Sequence, residues 1–102
     1  KEGIIENGGL VIDTIAHEVT LDGEPVKLTA TEYGIIEYLM RNIGCVLSTA
    51  QIYEAVWNEP SFAGDKTVTV HIRRIREKIE INPKEPKYLK VVWGIGYKIE
   101  KL

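Results

Sequence analysis

The sequence predicts an α+β fold: a meander of short strands, then three helices, then a closing β-hairpin, the layout of a winged helix-turn-helix. Three observations predict it. Short, partly alternating apolar runs separated by Asn, Asp and Gly fill the first third of the 102 residues. Two Ser/Thr-x-x-Glu/Gln capping boxes open helical patterns in the middle of the chain. The stretch from Asp65 to Glu80 is an amphipathic helix, and two apolar runs around a glycine turn follow it.

In chain order, Gly3 to Glu6, Leu10 to Asp13, Glu18 to Leu21 and Pro25 to Leu28 read as four strands of an antiparallel meander, with Asn7-Gly8-Gly9 and Asp22-Gly23 as turns. His17, in the third turn, reads as a surface turn residue rather than a ligand. Thr29 as N-cap and Glu32 three residues on open the first helix, whose Ile35, Ile36, Leu39, Met40 and Ile43 recur at helical spacing up to Gly44, the expected stop. Val46-Leu47 is a short extended link. Ser48 and Gln51 form the second capping box, ahead of Ile52, Ala55 and Val56, and this helix ends near Trp57. Asn58 to Gly64 is too rich in breakers for regular structure; its Phe62 is either tucked back into the core, the favoured reading, or presented to a partner.

At 100° per residue, Val68, Ile72, Ile75 and Ile79 of the Asp65 helix fall in one narrow arc. The opposite arc carries Lys66, Thr67, Val70, Arg73, Arg74 and Glu77, flanked by Thr69 and Arg76 on one side and His71 and Lys78 on the other. Asp65 is placed to cap the first turn, and Lys78 to favour the negative end of the macrodipole. Three arginines within four residues repel one another, with only Glu77 and Glu80 near enough to neutralise them. A polyanion would relieve that, and Val70 in the polar arc suits a thymine methyl. Downstream, Tyr88 to Trp93 and Tyr97 to Glu100 read as the two strands of a hairpin, joined by Gly94-Ile95-Gly96 and bearing Lys90 and Lys98 near its surface.

Composition is ordinary for a globular domain, and no apolar run approaches a membrane span. The chain lacks an initiator Met and reads as a fragment of a longer cytoplasmic protein. Cys45 has neither a disulfide partner nor metal-ligand companions and is expected to be a buried structural thiol. The net charge of −2 argues against a nucleic-acid binder, but the charge is segregated. Residues 1 to 65 hold 3 basic and 11 acidic side chains, −8; residues 66 to 102 hold 10 and 4, +6. Such asymmetry is what a polyanion-binding face backed by an acidic scaffold produces, and chance segregation is the alternative.

Four separated motifs, L-T-A-T-E-Y at Leu28, A-V-W at Ala55, T-V-T-V-H-I-R-R-I-R-E-K-I from Thr67 and V-W-G-I-G-Y from Val92, together resemble the DNA-binding effector domain of OmpR/PhoB-type response regulators; the last is closest to the vancomycin-resistance type. The resemblance implies a four-stranded N-terminal sheet, a three-helix bundle and a wing. It implies double-stranded DNA binding, with the recognition helix, 66–80, in the major groove and the hairpin wing, 88–99, on the adjacent backbone or minor groove. By the family's pattern Arg74 contacts bases, with Thr67, Thr69 and Val70 near base edges. Trp57, Lys66, His71, Arg73, Arg76, Tyr97 and Lys98 match phosphate-contact positions, and Trp93, Gly94, Ile95 and Gly96 form the wing turn. Many members carry a minor-groove arginine where this chain has Trp93, whose indole cannot supply that charge and is expected to pack either on the sugar-phosphate wall or against the core.

The family also implies tandem binding to direct repeats with a second protomer head to tail, and a polymerase-contact loop, here Asn58, Glu59, Pro60, Ser61, Phe62, Ala63 and Gly64. No cofactor, metal or membrane partner is implied, and no receiver domain lies in this sequence. Two other readings weigh less. A winged-helix module that has lost DNA readout draws on the acidic net charge and Trp93. An enzyme would need a nucleophile with its base, paired carboxylates or a metal cluster, and His17, His71 and Cys45 are isolated in sequence.

Overall fold

Two two-residue turns and one four-residue turn fold the N-terminal third into an antiparallel sheet in the computed structural model, which describes residues 2–62 and 65–102, Asp65 by its backbone only. Strands β1 (Ile4–Asn7), β2 (Leu10–Asp13), β3 (Glu18–Leu21) and β4 (Glu24–Val26) lie in the order β1-β2-β3-β4. Asp22 and Gly23 both take positive φ, 51° and 85°, as a type I′ turn demands, and set the register Leu21↔Glu24. Between β2 and β3, Asp13 Oδ1 accepts from the N–H groups of Ile15 and Ala16. Leu10, Ile12 and Val19 face inward and are buried. Relative to the expected bounds, β1 begins one residue later, and β4 begins one earlier and ends two earlier. Lys27 and Leu28 leave the sheet so that Thr29 reaches its cap position.

Helix α1 (Ala30–Met40) and helix α2 (Thr49–Trp57) both open on complete capping boxes, Thr29 with Glu32 and Ser48 with Gln51. α1 stops short of Gly44. Asn42 Nδ2 donates to the Tyr38 carbonyl at 2.8 Å and Arg41 N to Glu37 O, so the last carbonyls are satisfied before the glycine is reached. Ile43 therefore packs from the turn, not from the helix. Cys45 is exposed, contrary to the buried thiol expected, because its N–H still closes the exit turn on Asn42 O and the inward-facing link begins only after it.

Helix α3 (Asp65–Ile79) buries Val68, Ile72, Ile75 and Ile79 against α1 and α2, as the periodicity requires. The Asp65 carboxylate lies outside the described residues. Strands β5 (Leu89–Val92) and β6 (Gly96–Ile99) form the closing hairpin, one residue shorter at each end than read from the sequence apart from Gly96, which joins β6. Leu47 exchanges both backbone hydrogen bonds with Tyr97, 2.8 and 2.9 Å, so the link between α1 and α2 lies beside β6 as a one-residue third strand. Gly96 is required there: a Cβ would sit 2.0 Å from the Leu47 carbonyl oxygen. The N-terminal sheet is tied to the chain's end through Asn7, whose side chain donates to Glu100 O and accepts from Leu102 N–H.

Candidate nucleic-acid interface

α3 turns one face to solvent along its length. Lys66, Thr67, Thr69, Arg73, Arg74 and Glu77 are exposed, and Val70 is 43% exposed. Among the described residues neither Arg73 nor Arg74 has an ion-pair partner within 4 Å. Glu80, expected to help neutralise the arginines, does not. It is buried, and its carboxylate accepts N–H groups from Lys87, Tyr88 and Leu89 at 2.7 to 3.3 Å, fixing the entry to β5. Glu77 makes no ion pair with the arginines either, so among the described residues no ion pair relieves the repulsion inferred from the sequence.

The other two late cations of α3 are turned into the fold. Arg76 Nε donates to the Leu89 carbonyl at 3.0 Å, its guanidinium lies 5.8 Å from the Tyr97 ring centroid, and Nη2 is buried without a hydrogen-bond partner among the described residues. It sits on the flank that the wheel gave it but points at the hairpin instead of outward. Lys78 Nζ reaches 2.6 Å to Glu32 Oε1 instead of serving only the macrodipole. Glu32 thereby closes the α1 capping box and clamps the last turn of α3 with one carboxylate. Burial pushes its pKa up, but the Lys78 ammonium and the Thr29 N–H outweigh burial and hold it below the ordinary glutamate value.

Around this face, His71 Nδ1–H donates to the Thr67 carbonyl at 2.8 Å, and its ring stands edge-on to Trp57 at 5.4 Å. Trp57 is half-buried and stacks on Tyr53 at 4.8 Å. Tyr97 is a core residue whose hydroxyl alone reaches the face, 3.5 Å from Thr69 Oγ1. Lys98 is half-buried, 3.6 Å from Glu100. At the hairpin tip Trp93 is 87% exposed and Ile95 61%, so Trp93 does not pack against the core.

In the loop after α2, Tyr53 Oη donates to Glu59 Oε1 and Glu54 Oε2 accepts from Ser61 N–H, holding the first half of the loop against its helix. Phe62 is 93% exposed, not tucked into the core as expected: those two bonds lead the chain along the surface of α2. Ala63 and Gly64 lie outside the described residues.

Glu80 was the functional support that sequence reasoning missed. A signal for it exists in the sequence: a carboxylate at the negative end of a basic helix is misplaced unless local donors hold it.

A capped helix, a turn, a second helix with a cationic outer face and a hairpin braced against it define a winged helix-turn-helix. The sequence model for the C-terminal domain of transcriptional regulatory proteins matches residues 23–99, and the chain belongs to this family, the effector domains of OmpR/PhoB-type response regulators. Regulatory protein VanR of Enterococcus faecium is 43% identical over 102 residues, 99% of this chain and 44% of that protein. Sensory transduction protein RegX3 of Mycolicibacterium smegmatis is 41% identical over 97% of this chain and 43% of its own length. The chain spans less than half the length of these relatives. Response regulator DrrB of Thermotoga maritima superposes with a TM-score of 0.87 at 34% identity, covering 98% of this chain and 45% of that one. The DNA-binding domain of RstA from Klebsiella pneumoniae, solved in complex with the RstA box, superposes at 0.88 with 28% identity, covering 95% and 96%.

Proposed function

We propose that this chain is the output domain of a bacterial two-component response regulator and binds double-stranded DNA in a sequence-specific way to control transcription. The observation that carries the reading is the exposed Arg73-Arg74 pair, without an ion-pair partner among the described residues, on a helix whose back is locked into the core. The complex formed by the RstA domain supports it. α3 lies in the major groove, with Arg74 reading guanine O6 and N7 and Thr67, Thr69 and Val70 near base edges. Lys66, Arg73 and Lys98 meet phosphates, with His71, the Trp57 indole and the Tyr97 hydroxyl beside them. Arg76 is reassigned from phosphate contact to bracing the wing, on the strength of its bond to Leu89 O.

Two protomers bind direct repeats head to tail, and the loop from Asn58 to Gly64, with Phe62 outward, contacts RNA polymerase in the cytoplasm. A receiver domain completes the protein. The test is an anisotropy titration against random duplexes across a salt series, followed by sequencing of the retained fraction. Enrichment of a directly repeated, guanine-containing motif is expected. Uniform retention without enrichment would reduce the reading to phosphate binding, and no retention at low salt would favour a protein-interaction module.

A further inference from the structure

Three rings meet where α2 runs past α3. Tyr53 and Trp57, one helical turn apart on α2, are stacked with centroids 4.8 Å apart and planes 9° from parallel. His71 of α3 meets the same indole at 5.4 Å and 79°. A tryptophan side chain turns about two torsions, and a ring from its own helix together with a ring from the next helix restricts both. Among the described residues no other ring touches this indole.

The polar atoms of the three rings are not equally engaged. Tyr53 Oη donates to Glu59 Oε1 at 2.6 Å, and that bond, with a smaller contribution from desolvation, holds the phenol pKa above the ordinary tyrosine value, so the proton stays on Tyr53. His71 Nδ1–H donates to the Thr67 carbonyl, which leaves Nε2 a bare acceptor in the neutral ring. The Trp57 Nε1–H has no hydrogen-bond partner among the described residues, and an indole can only donate. An anion that approaches the three rings therefore finds its donor on Trp57. The direction of that donor is set from Tyr53, whose own ring is fixed twice: by the stack, and by Glu59 in a loop whose Ser61 N–H is held in turn by Glu54 Oε2 at 3.2 Å.

We infer that Tyr53 is a positioning residue for DNA binding: it touches no phosphate itself and acts by holding the Trp57 Nε1–H toward one. This rests on the DNA-binding reading and adds to it a residue that lies outside both the recognition helix and the hairpin. One phenol then serves two neighbours, since its ring orients the phosphate contact and its hydroxyl anchors the first half of the loop after α2.

The experiment is a double-mutant cycle on the 102-residue chain, titrated with the tightest-binding duplex of the random-pool selection. Tyr53→Leu removes the ring but keeps apolar bulk and helix propensity, and Tyr53→Met, run beside it, does the same should the first variant fail to fold. Either should weaken binding about fivefold, the equivalent of one ordinary hydrogen bond, with an unchanged slope of log K against log salt because no cation is lost. Tyr53→Phe, which keeps the stack, should restore wild-type affinity. In a Trp57→Phe background, where there is no N–H to aim, Tyr53→Leu should have no further effect. The Trp57 indole N–H resonance, identified by its absence from Trp57→Phe, should move downfield on adding duplex to wild type and to Tyr53→Phe, and stay in place in Tyr53→Leu. Equal weakening by Tyr53→Leu with and without the Trp57 indole, wild-type affinity in Tyr53→Leu, or an indole shift that survives in it overturns the inference while leaving DNA binding standing. Failure of wild type to bind any duplex overturns the DNA reading and this inference together.

Discussion

The four cations in the second half of α3 differ in what they face. Arg73 and Arg74 are exposed and unpaired among the described residues, whereas Arg76 is bonded to the Leu89 carbonyl and Lys78 to Glu32. Nothing in residue type separates them, since all lie within six positions of one helix. What separates them is the geometry behind the helix: the hairpin approaches one flank and the start of α1 the other. Charge counted along a helix therefore overstates the charge offered to a ligand. Half of this cluster holds the other half in position.

The largest effect is expected where that support is most buried. Glu80→Ala leaves the buried N–H groups of Tyr88 and Leu89 without their acceptor, while the part-buried Lys87 N–H can turn to water; at about 1–3 kcal/mol for each buried orphan donor, a loss of roughly 2–6 kcal/mol is expected in urea melts. A loss under about 1 kcal/mol, the low end for one orphan donor, would show that the entry to β5 is held by other means.

On the outward side, Arg74→Ala should remove about 1–3 kcal/mol of discrimination between the selected duplex and one with its guanine replaced, because the guanidinium reads a base edge. Competition titrations at fixed salt measure it. Equal weakening on both duplexes would move Arg74 from base reading to phosphate contact.

Glu32→Gln tests the inward side through pH. The folded-state pKa of Glu32 is held below its ordinary value, so its stabilisation is complete above the unfolded carboxylate pKa of about 4.3 and is lost as pH falls through the lower folded value. Wild type should exceed Glu32→Gln by about 1–2 kcal/mol at pH 7, and the gap should close toward pH 3. A gap independent of pH would mean that the amide disturbs the capping box and not the ion pair.

The local parts of this fold were legible because their causes are local. The buried stripe of α3 follows from its 3.6-residue period, and both capping boxes lie within four consecutive residues. The Leu47 bridge to Tyr97 and the Arg76 bond to Leu89 join residues far apart in sequence, and no periodicity reports such pairs. Phe62 was misread for a different reason. Apolar character makes burial common but not obligatory, and the loop's course is set by Glu54 and Tyr53. For the outward face, side-chain direction follows from the stripe on its back, so Arg73 and Arg74 could be placed, whereas Arg76, on the flank, depended on what approached it.

The smallest expected effect is also the sharpest division between the two sets. Removing one cation from a phosphate should lower the slope of log K against log salt by roughly 0.9, so Arg73→Ala should lower it by that amount and weaken all duplexes alike. Stability should stay within about 0.5 kcal/mol, as for surface substitutions generally. Arg76→Ala should do the reverse. Its Nε is committed to Leu89 O and its Nη2 is buried, so removing it exposes the β5 carbonyl and loosens the wing without taking a cation from the phosphate path. The slope should then hold while the urea midpoint falls. Salt titrations and melts on the two variants side by side decide the matter: a slope that drops equally in both would place Arg76 on the DNA and return the cluster to the undivided face that its sequence suggested.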